Sequence, residues 1–281
     1  MYRFDFPLAL LILAGYLTES HPARGAAEPI ELSVVTFNVL VDLGSQPGVP
    51  RWADRRELCV QVLRQSNADL IGLQEPLPAQ VDYLLSELPG YDAVAYKGYP
   101  DATLLFKREV FEKLDHGHWW LSPTPERVST GFGNTLPRLV VWAKLRHRAG
   151  GRDLFVFNTH FDNSMPSQVR MAELCQQQLA KFAQQKLPML FMGDFNTTQT
   201  RGDYPKLISG GWQDAYAVSP QASPGGRDDN VPTMYEGSGR IDHIFYHGDS
   251  WRPVAWERLE SPDEKKPLSD HYPVLARFKL N

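Results

Sequence analysis

The sequence predicts a single α/β domain, and three observations predict it. The chain has 281 residues, 42% hydrophobic and 22% charged, which is the composition of a folded protein with ample material for a core. Short apolar segments alternate with amphipathic helical ones along most of its length. No linker-like stretch with a shift in composition divides it, and α/β architectures of about 250 residues commonly fold as one unit.

In chain order, the run 32–37 is the first expected strand, followed by a helix over 52–66 in which Trp52, Cys59, Val62 and Leu63 recur at helical spacing. Segment 70–73 reads as a strand, and 80–88 as a helix that stops at Pro89-Gly90. Strands are expected at 103–106, 139–145 and 154–159, then a helix over 166–185 carrying Val169, Ala172, Cys175, Leu179 and Phe182 on one face. Strands at 189–192, 241–246 and 274–278 complete the set. Gly and Pro concentrate over 219–239, which reads as a loop between two strands of one fold.

The amino-terminal segment is of another kind. Arg3 precedes an apolar run over 6–17, and polar residues then lead to Ala23-Arg24-Gly25-Ala26-Ala27. The run is shorter than the ~20 residues a membrane span needs, so an export signal cleaved after Ala27 is expected. Residues 28–281 would then form the mature single domain, monomeric and periplasmic or extracellular, with no membrane span. The two cysteines, Cys59 and Cys175, fall on the buried faces of two different helices, so free thiols are expected. Trp119, Trp120, Trp212 and Trp251 read as core packing.

Net charge is −4, which excludes holding a polynucleotide by bulk electrostatics. No repeat or low-complexity tract suggests an adhesive or structural protein. The informative pattern is that strand after strand ends in residues that ionise, coordinate or hydrogen-bond. Asn38 follows the first, Gln74-Glu75 the second, and His160 with Asp162 and Asn163 another. Gly193-Asp194-Phe195-Asn196 follows 189–192, Asp242 lies in Arg240-Ile241-Asp242-His243-Ile244, and Ser269-Asp270-His271 precedes the last strand. Singly, Asn, Asp and Ser at such places are turn formers. Together, carboxylates, amides and imidazoles make the ligand set of a hard, oxygen-bound cation with imidazoles left for phosphate. Arg138 and Arg170 are candidate phosphate contacts, because a planar guanidinium matches phosphate oxygens in pairs.

Thr36-Phe37-Asn38-Val39-Leu40, Leu73-Gln74-Glu75, Asn158-Thr159-His160-Phe161-Asp162, Gly193-Asp194-Phe195-Asn196, Arg240-Ile241-Asp242-His243-Ile244 and Ser269-Asp270-His271-Tyr272-Pro273-Val274 resemble, in order, the motifs of the endonuclease/exonuclease/phosphatase superfamily. Trp119-Trp120-Leu121-Ser122 and Trp142-Ala143-Lys144-Leu145 look most like its secreted bacterial metal-dependent hydrolases. The resemblance implies a two-sheet β-sandwich flanked by helices on both outer faces, a deoxyribonuclease I-like four-layer architecture. It implies Glu75 as the main metal ligand, with Asn38 and Asp270 near the metal or its waters, and Mg²⁺ as the ion, with Mn²⁺ as the alternative.

By the same resemblance, Asp194 would orient and deprotonate the attacking water, and Asn196 would fix Asp194 and the phosphate. His160 and His271 would contact phosphoryl oxygens, and Asp242 would hold His271 in its orientation and tautomer. Asn163 stands where many secreted relatives carry a second His and is a candidate substrate contact. Asp101 lies where relatives often have a Glu near the substrate, but as an Asp following Pro100 it reads as a turn residue.

The function implied is a secreted phosphodiesterase, nuclease or phosphatase. Its substrate would be nucleic acid, a phospholipid head group or a small phosphorylated metabolite, with loops 41–50, 123–137 and 219–239 choosing among them. The alternative is a non-catalytic ligand-binding module on the same sandwich. Activity is expected to fall at acid pH as carboxylates and the catalytic imidazoles gain protons.

Overall fold

The computed structural model describes residues 28–44, 46–223, 232–234 and 239–281. The expected export signal, 1–27, lies outside the described residues, as do 224–231 and 235–238 of the loop over 219–239. The chain runs β1 (Ile30–Asn38), α1 (Trp52–Ser66), β2 (Leu70–Gln74), α2 (Pro78–Glu87), β3 (Tyr91–Ala95), β4 (Ala102–Lys107), β5 (Phe111–Trp120), β6 (Leu139–His147) and β7 (Asp153–His160). It continues through α3 (Met165–Ala183), β8 (Met189–Asp194), α4 (Tyr204–Leu207), β9 (Trp212–Asp214), α5 (Ala215–Val218), β10 (Gln221–Ser223), β11 (Asp242–His247), β12 (Trp251–Arg258) and β13 (Val274–Leu280).

Two mixed sheets result. One has the order β10-β12-β13-β1-β2-β4-β3 and the other β5-β6-β7-β8-β11-β9. Their inner faces meet in one apolar layer, with Leu32, Val34, Leu104 and Phe106 opposing Val141, Val156, Leu190 and Ile244. On the outer face of the first sheet, Val35, Phe37, Ile71 and Leu73 pack with Cys59 and Leu63 of α1 and Leu84 of α2. On the outer face of the second, Phe155, Phe157 and Phe191 pack with Met171, Cys175 and Leu179 of α3. The result is the expected helix–sheet–sheet–helix sandwich. Each such large apolar side chain, fully buried, contributes about 1.5–3 kcal/mol.

Local sequence explains the elements that were legible. β2 is buried at every position, as a central strand covered on both faces must be, and so reads as a continuous apolar run. α1 ends at Asn67, whose left-handed backbone (φ 49°) caps it. Pro78 opens α2, and Gln80 Oε1 accepts from the Leu77 amide, satisfying one of the donors a helix start leaves over. Both cysteines are buried and free. Trp119, Trp120, Trp212 and Trp251 are at most 6% exposed and belong to the core.

Five strands escaped the apolar pattern. β5 is exposed over most of its length because it is an edge strand paired only to β6, with a bulge between Lys113 and Asp115. β12 contains Pro253, which argues against a strand, and its register with β13 breaks between Pro253 and Ala255. β3 is an edge of the other sheet, while β9 and β10, also edges, span three residues each. Among the described residues no helix is long and apolar enough to cross a membrane.

Candidate active site

Strand direction and register carry the polar strand ends to one end of the sandwich. β7 and β8 run parallel with His160 beside Asp194, and β11 runs antiparallel to β8 with Asp242 beside that same Asp194. β6 begins at this end of β7, which brings in Arg138 just ahead of it. In the other sheet β1 and β2 finish together, Asn38 opposite Gln74, and β4 and β13 start beside them. Glu75, Asp101, Asp270 and His271 therefore meet Asn38 there.

Asp194 lies at the centre and is 1% exposed. Its Oδ1 accepts from the backbone N–H of Asn196 at 2.9 Å. Its Oδ2 accepts from Asn38 Nδ2 at 3.0 Å and lies 3.6 Å from His160 Nε2 and 3.7 Å from His271 Nε2. A Cβ on Gly193 would come within 2.2 Å of the Thr159 carbonyl oxygen, so glycine is required for β8 to deliver Asp194 this close to β7. Asn196 takes a left-handed backbone (φ 51°), which Asn tolerates, and its Nδ2 donates to the Phe161 carbonyl.

Glu75 stands at the mouth with its side chain 24% exposed. Its Oε1 accepts from Asn38 Nδ2 at 3.1 Å and lies 3.6 Å from His160 Nε2, and its Oε2 accepts from the Val41 amide. Asn38 thus presents its amide nitrogen to two carboxylates, while its oxygen accepts from the Leu40 amide. Asp270 is half-buried and accepts from Ser269 Oγ at 3.1 Å, and its charge acts on both His271 and Arg55.

Each imidazole has its own carboxylate. His271 Nδ1 lies 2.9 Å from Asp242 Oδ2. Burial opposes a charge on His271, but Asp242 and Asp194 outweigh it and raise the imidazole to about 10. His160 Nδ1 lies 3.1 Å from Asp101 Oδ1 and 2.7 Å from Arg138 Nη1, which also donates to both Asp101 oxygens at 3.0–3.1 Å. Burial and Arg138 push His160 down, and the charges of Asp101 and Asp194 overcome them to raise it. Burial would raise Asp101 itself, but His160 and Arg138 hold it below the usual carboxylate range.

Two further groups brace the site from behind. Arg55 of α1, 1% exposed, donates through Nη1 to the Val39 and Leu268 carbonyls at 2.6 Å and through Nη2 to that of Leu40 at 2.9 Å. It ties the chain leaving β1 to the chain entering β13. His243 faces away from Asp242, as neighbours on a strand must. Its Nε2 donates to the Thr197 carbonyl at 2.8 Å, while its Nδ1 meets Arg240 and Asp214, themselves an ion pair at 2.7 Å.

Two expectations need correction. Arg170 lies on the outward face of α3 with 67% of its side chain exposed, pairing with Glu173 at 3.5 Å, so the structure does not bring it to the cluster. Asn163, exposed in the bend before α3 and three residues after His160, keeps its place as a candidate substrate contact. The signal against Arg170 was present in the helical wheel, since the buried stripe of Met171, Ala172, Cys175 and Leu179 turns position 170 to solvent. Arg138 is in the cluster, and Asp101, read as a turn residue, is its buried partner. The one signal for Asp101 was its position where relatives often have a Glu near the substrate; its local sequence is that of a turn Asp, and its place depends on β4 lying antiparallel to β2.

The donor chemistry fits a hard divalent cation. Glu75, Asp101, Asp194, Asp242 and Asp270 converge on one end, where Arg138 and the two imidazoles are the opposing charges. Asp194, Asp242 and His271, all buried, bring one ligand atom each within 4.8 Å of one another and could hold a metal ion. Glu75 adds a carboxylate open to solvent beside them.

Comparison with known proteins agrees with this geometry. The model of the Endonuclease/Exonuclease/phosphatase family matches residues 35–271. An endonuclease/exonuclease/phosphatase family protein from Bacteroides thetaiotaomicron is 27% identical, with a TM-score of 0.79 over 90% of this chain and 99% of that one. A mannosyl-6-phosphatase from the same organism is 26% identical, with a TM-score of 0.78 over 88% and 99%. The human Nocturnin catalytic domain with bound sulfate, 20% identical, shares the fold at a TM-score of 0.72 over 89% and 95%. An uncharacterized protein of Acanthamoeba polyphaga mimivirus is 24% identical over 88% of this chain and all of its own length.

Proposed function

The chain belongs to the endonuclease/exonuclease/phosphatase family, a family of phosphoester hydrolases, and from that premise we propose that it is an exported, Mg²⁺-dependent phosphoesterase. It hydrolyses a phosphodiester or phosphomonoester by direct attack of an activated water. The observation that carries the reading is the single carboxylate oxygen, Asp194 Oδ2, surrounded by Asn38, His160 and His271 at 3.0–3.7 Å beside the open Glu75. A catalytic centre needs a base, donors for phosphoryl oxygens and a charge-neutralising group close together, and these residues converge on one carboxylate oxygen.

Glu75 and Asp270 would hold the divalent ion, with Asn38 orienting Glu75 and Asp194 through its amide N–H groups; the chemistry the ion would supply is neutralising charge on the non-bridging and leaving oxygens. Asp194 accepts the proton of the attacking water, and Asn196 keeps that carboxylate in place through its backbone N–H. His160 and His271 donate from Nε2 to phosphoryl oxygens. Asp101 and Asp242 keep both rings turned toward the site and favour their charged forms. Each such donor is worth about 3 kcal/mol in the transition state. The two cysteines are buried and inert in helices, so no covalent intermediate is called for. The mannosyl-6-phosphatase neighbour supports a phosphoester as substrate class. Export rests on Arg3, the apolar run 6–17 and the small residues up to Ala27.

The test is hydrolysis by the purified protein across bis-phenyl phosphate, phosphomonoesters, single-stranded nucleic acid and sphingomyelin, with Mg²⁺ or with EDTA. Release of product should require metal, and Glu75→Gln or Asp194→Asn should lower it by about 10²-fold or more with the circular dichroism spectrum unchanged. Full activity in either variant overturns the reading. Metal-dependent ligand binding without turnover would install the non-catalytic module instead.

A further inference from the structure

Beside the phosphoryl site lies a cavity of about 350 Å³ whose inner wall is Glu75, Asp101 and Arg138 and whose remaining lining is mainly apolar. Val41, Leu43, Leu77, Tyr99 and Leu136 form that lining. Leu43 and Leu136 are 79% and 55% exposed. One exposed leucine is ordinary on a protein surface, but several apolar side chains gathered over one concave site next to reacting groups mark a place for a ligand.

Most polar groups of this cavity are engaged, the exception being Arg138 Nε, a buried donor without a partner. The Tyr99 hydroxyl donates to the Pro137 carbonyl at 2.8 Å. Asp101 is taken up by Arg138 and His160, and Glu75 accepts from Asn38 and the Val41 amide. A polyhydroxylated body entering here would lose water around many hydroxyls and find few partners for them, chiefly Arg138 Nε and Glu75, whereas an apolar body would bury its own surface and that of the leucines. Pro76, Pro78 and Pro100 frame the space with fixed backbone, so it is formed before a ligand arrives.

Resting on the phosphoesterase reading above, we propose that this cavity is the subsite for the organic part of the substrate, and that the substrate is a phosphoester of an apolar or aryl-bearing alcohol and not a sugar phosphate. Its phosphoryl group lies among His160, Asp194 and His271 while its apolar body rests between Leu43 and Leu136.

The experiment compares 2-phenylethyl phosphate with mannose 6-phosphate, each also as its methyl diester. Both release a primary alcohol, so leaving-group acidity does not decide the ratio of their kcat/KM values. The expected result is a preference of about 10-fold or more for the phenylethyl ester, collapsing in the double variant Leu43→Ser/Leu136→Ser through a raised KM. Both positions are exposed, so the variant should fold, which its melting curve checks. Leu114→Ser, an exposed leucine on β5 outside the cavity, should leave the ratio unchanged. Equal or greater turnover of the sugar phosphate, or a ratio unmoved by the double variant, overturns this proposal and leaves the phosphoesterase reading standing. No metal-dependent turnover of any ester overturns both.

Discussion

His271 illustrates how far a residue's chemistry depends on its neighbours. An isolated imidazole titrates near 6.5, which is the basis for giving the catalytic imidazoles, alongside the carboxylates, a share in the expected fall of activity at acid pH. In the site burial opposes the charge, but Asp242 and Asp194 outweigh it and raise His271 to about 10, which leaves the acid loss to the carboxylates. The imidazolium therefore persists through neutral pH, and the stability it contributes is full below the unfolded value near 6.5 and is lost progressively as pH rises from there through the folded value. In the metal-free protein, NMR titration of the His271 ring should place its midpoint well above 8. Asp242→Asn removes the adjacent charge and should bring that midpoint down by about one unit or more. A midpoint near 6.5 in the unsubstituted protein would contradict the pairing. Asp101 and Arg138 make the same point about reading residues singly: one looked like a turn former and the other like a lone phosphate ligand, and they are each other's partner behind His160.

Among elements, the strands that deliver the site are held together by a buried polar seam below it. Gln74 Nε2 donates to Asn158 Oδ1 at 2.7 Å and to Thr36 Oγ1 at 3.0 Å, while Asn158 Nδ2 donates to the Leu73 and Thr103 carbonyls. The two sheets approach so closely here that a Cβ on Gly72 would lie 2.5 Å from Asn158 Oδ1 and 2.8 Å from Met192. Gly72→Ala should therefore cost about 1–3 kcal/mol by overpacking, seen as a lower urea midpoint, and should lower activity by misaligning β2 and β7. A variant as stable and active as the parent would show the seam to be slack. The apolar periodicity that revealed β2 and β7 could not reveal this seam, because Gln and Asn inside a strand carry no sign of which sheet they will face. β5 and β12 were hidden for different reasons, an exposed edge in one and an interrupting Pro253 in the other.

At the scale of the whole molecule, the loop that follows Asp194 is anchored through a buried charge network joining α4, β9 and β11. Asp214 accepts from Arg240, 2% exposed, and from Tyr204, and it lies 3.3 Å from His243. Burial alone would raise Asp214, yet Arg240 and His243 hold it well below the usual carboxylate range. A depressed folded pKa stabilises the protein above the unfolded value near 3.9, and that contribution is lost as pH falls through the folded value. Asp214→Asn should cost about 3–5 kcal/mol at pH 7, because it strands a buried guanidinium. The difference between variant and parent in urea unfolding should shrink once pH falls below about 4. An equal difference at pH 7 and pH 3 would show that the charge on Asp214 contributes nothing.

By itself the sequence determined the α/β class, the main helices and central strands, the free cysteines and the set of polar strand ends, because periodicity and local chemistry are written in neighbouring residues. It did not determine that Asp101 and Arg138 form one unit, that Arg170 points to solvent, or that Arg55 laces two loops together. Nor did it foresee an apolar cavity beside Glu75. Those were decided only in the tertiary structure, because they depend on strand register and sheet packing, which join residues up to two hundred positions apart and leave no periodic trace in the chain.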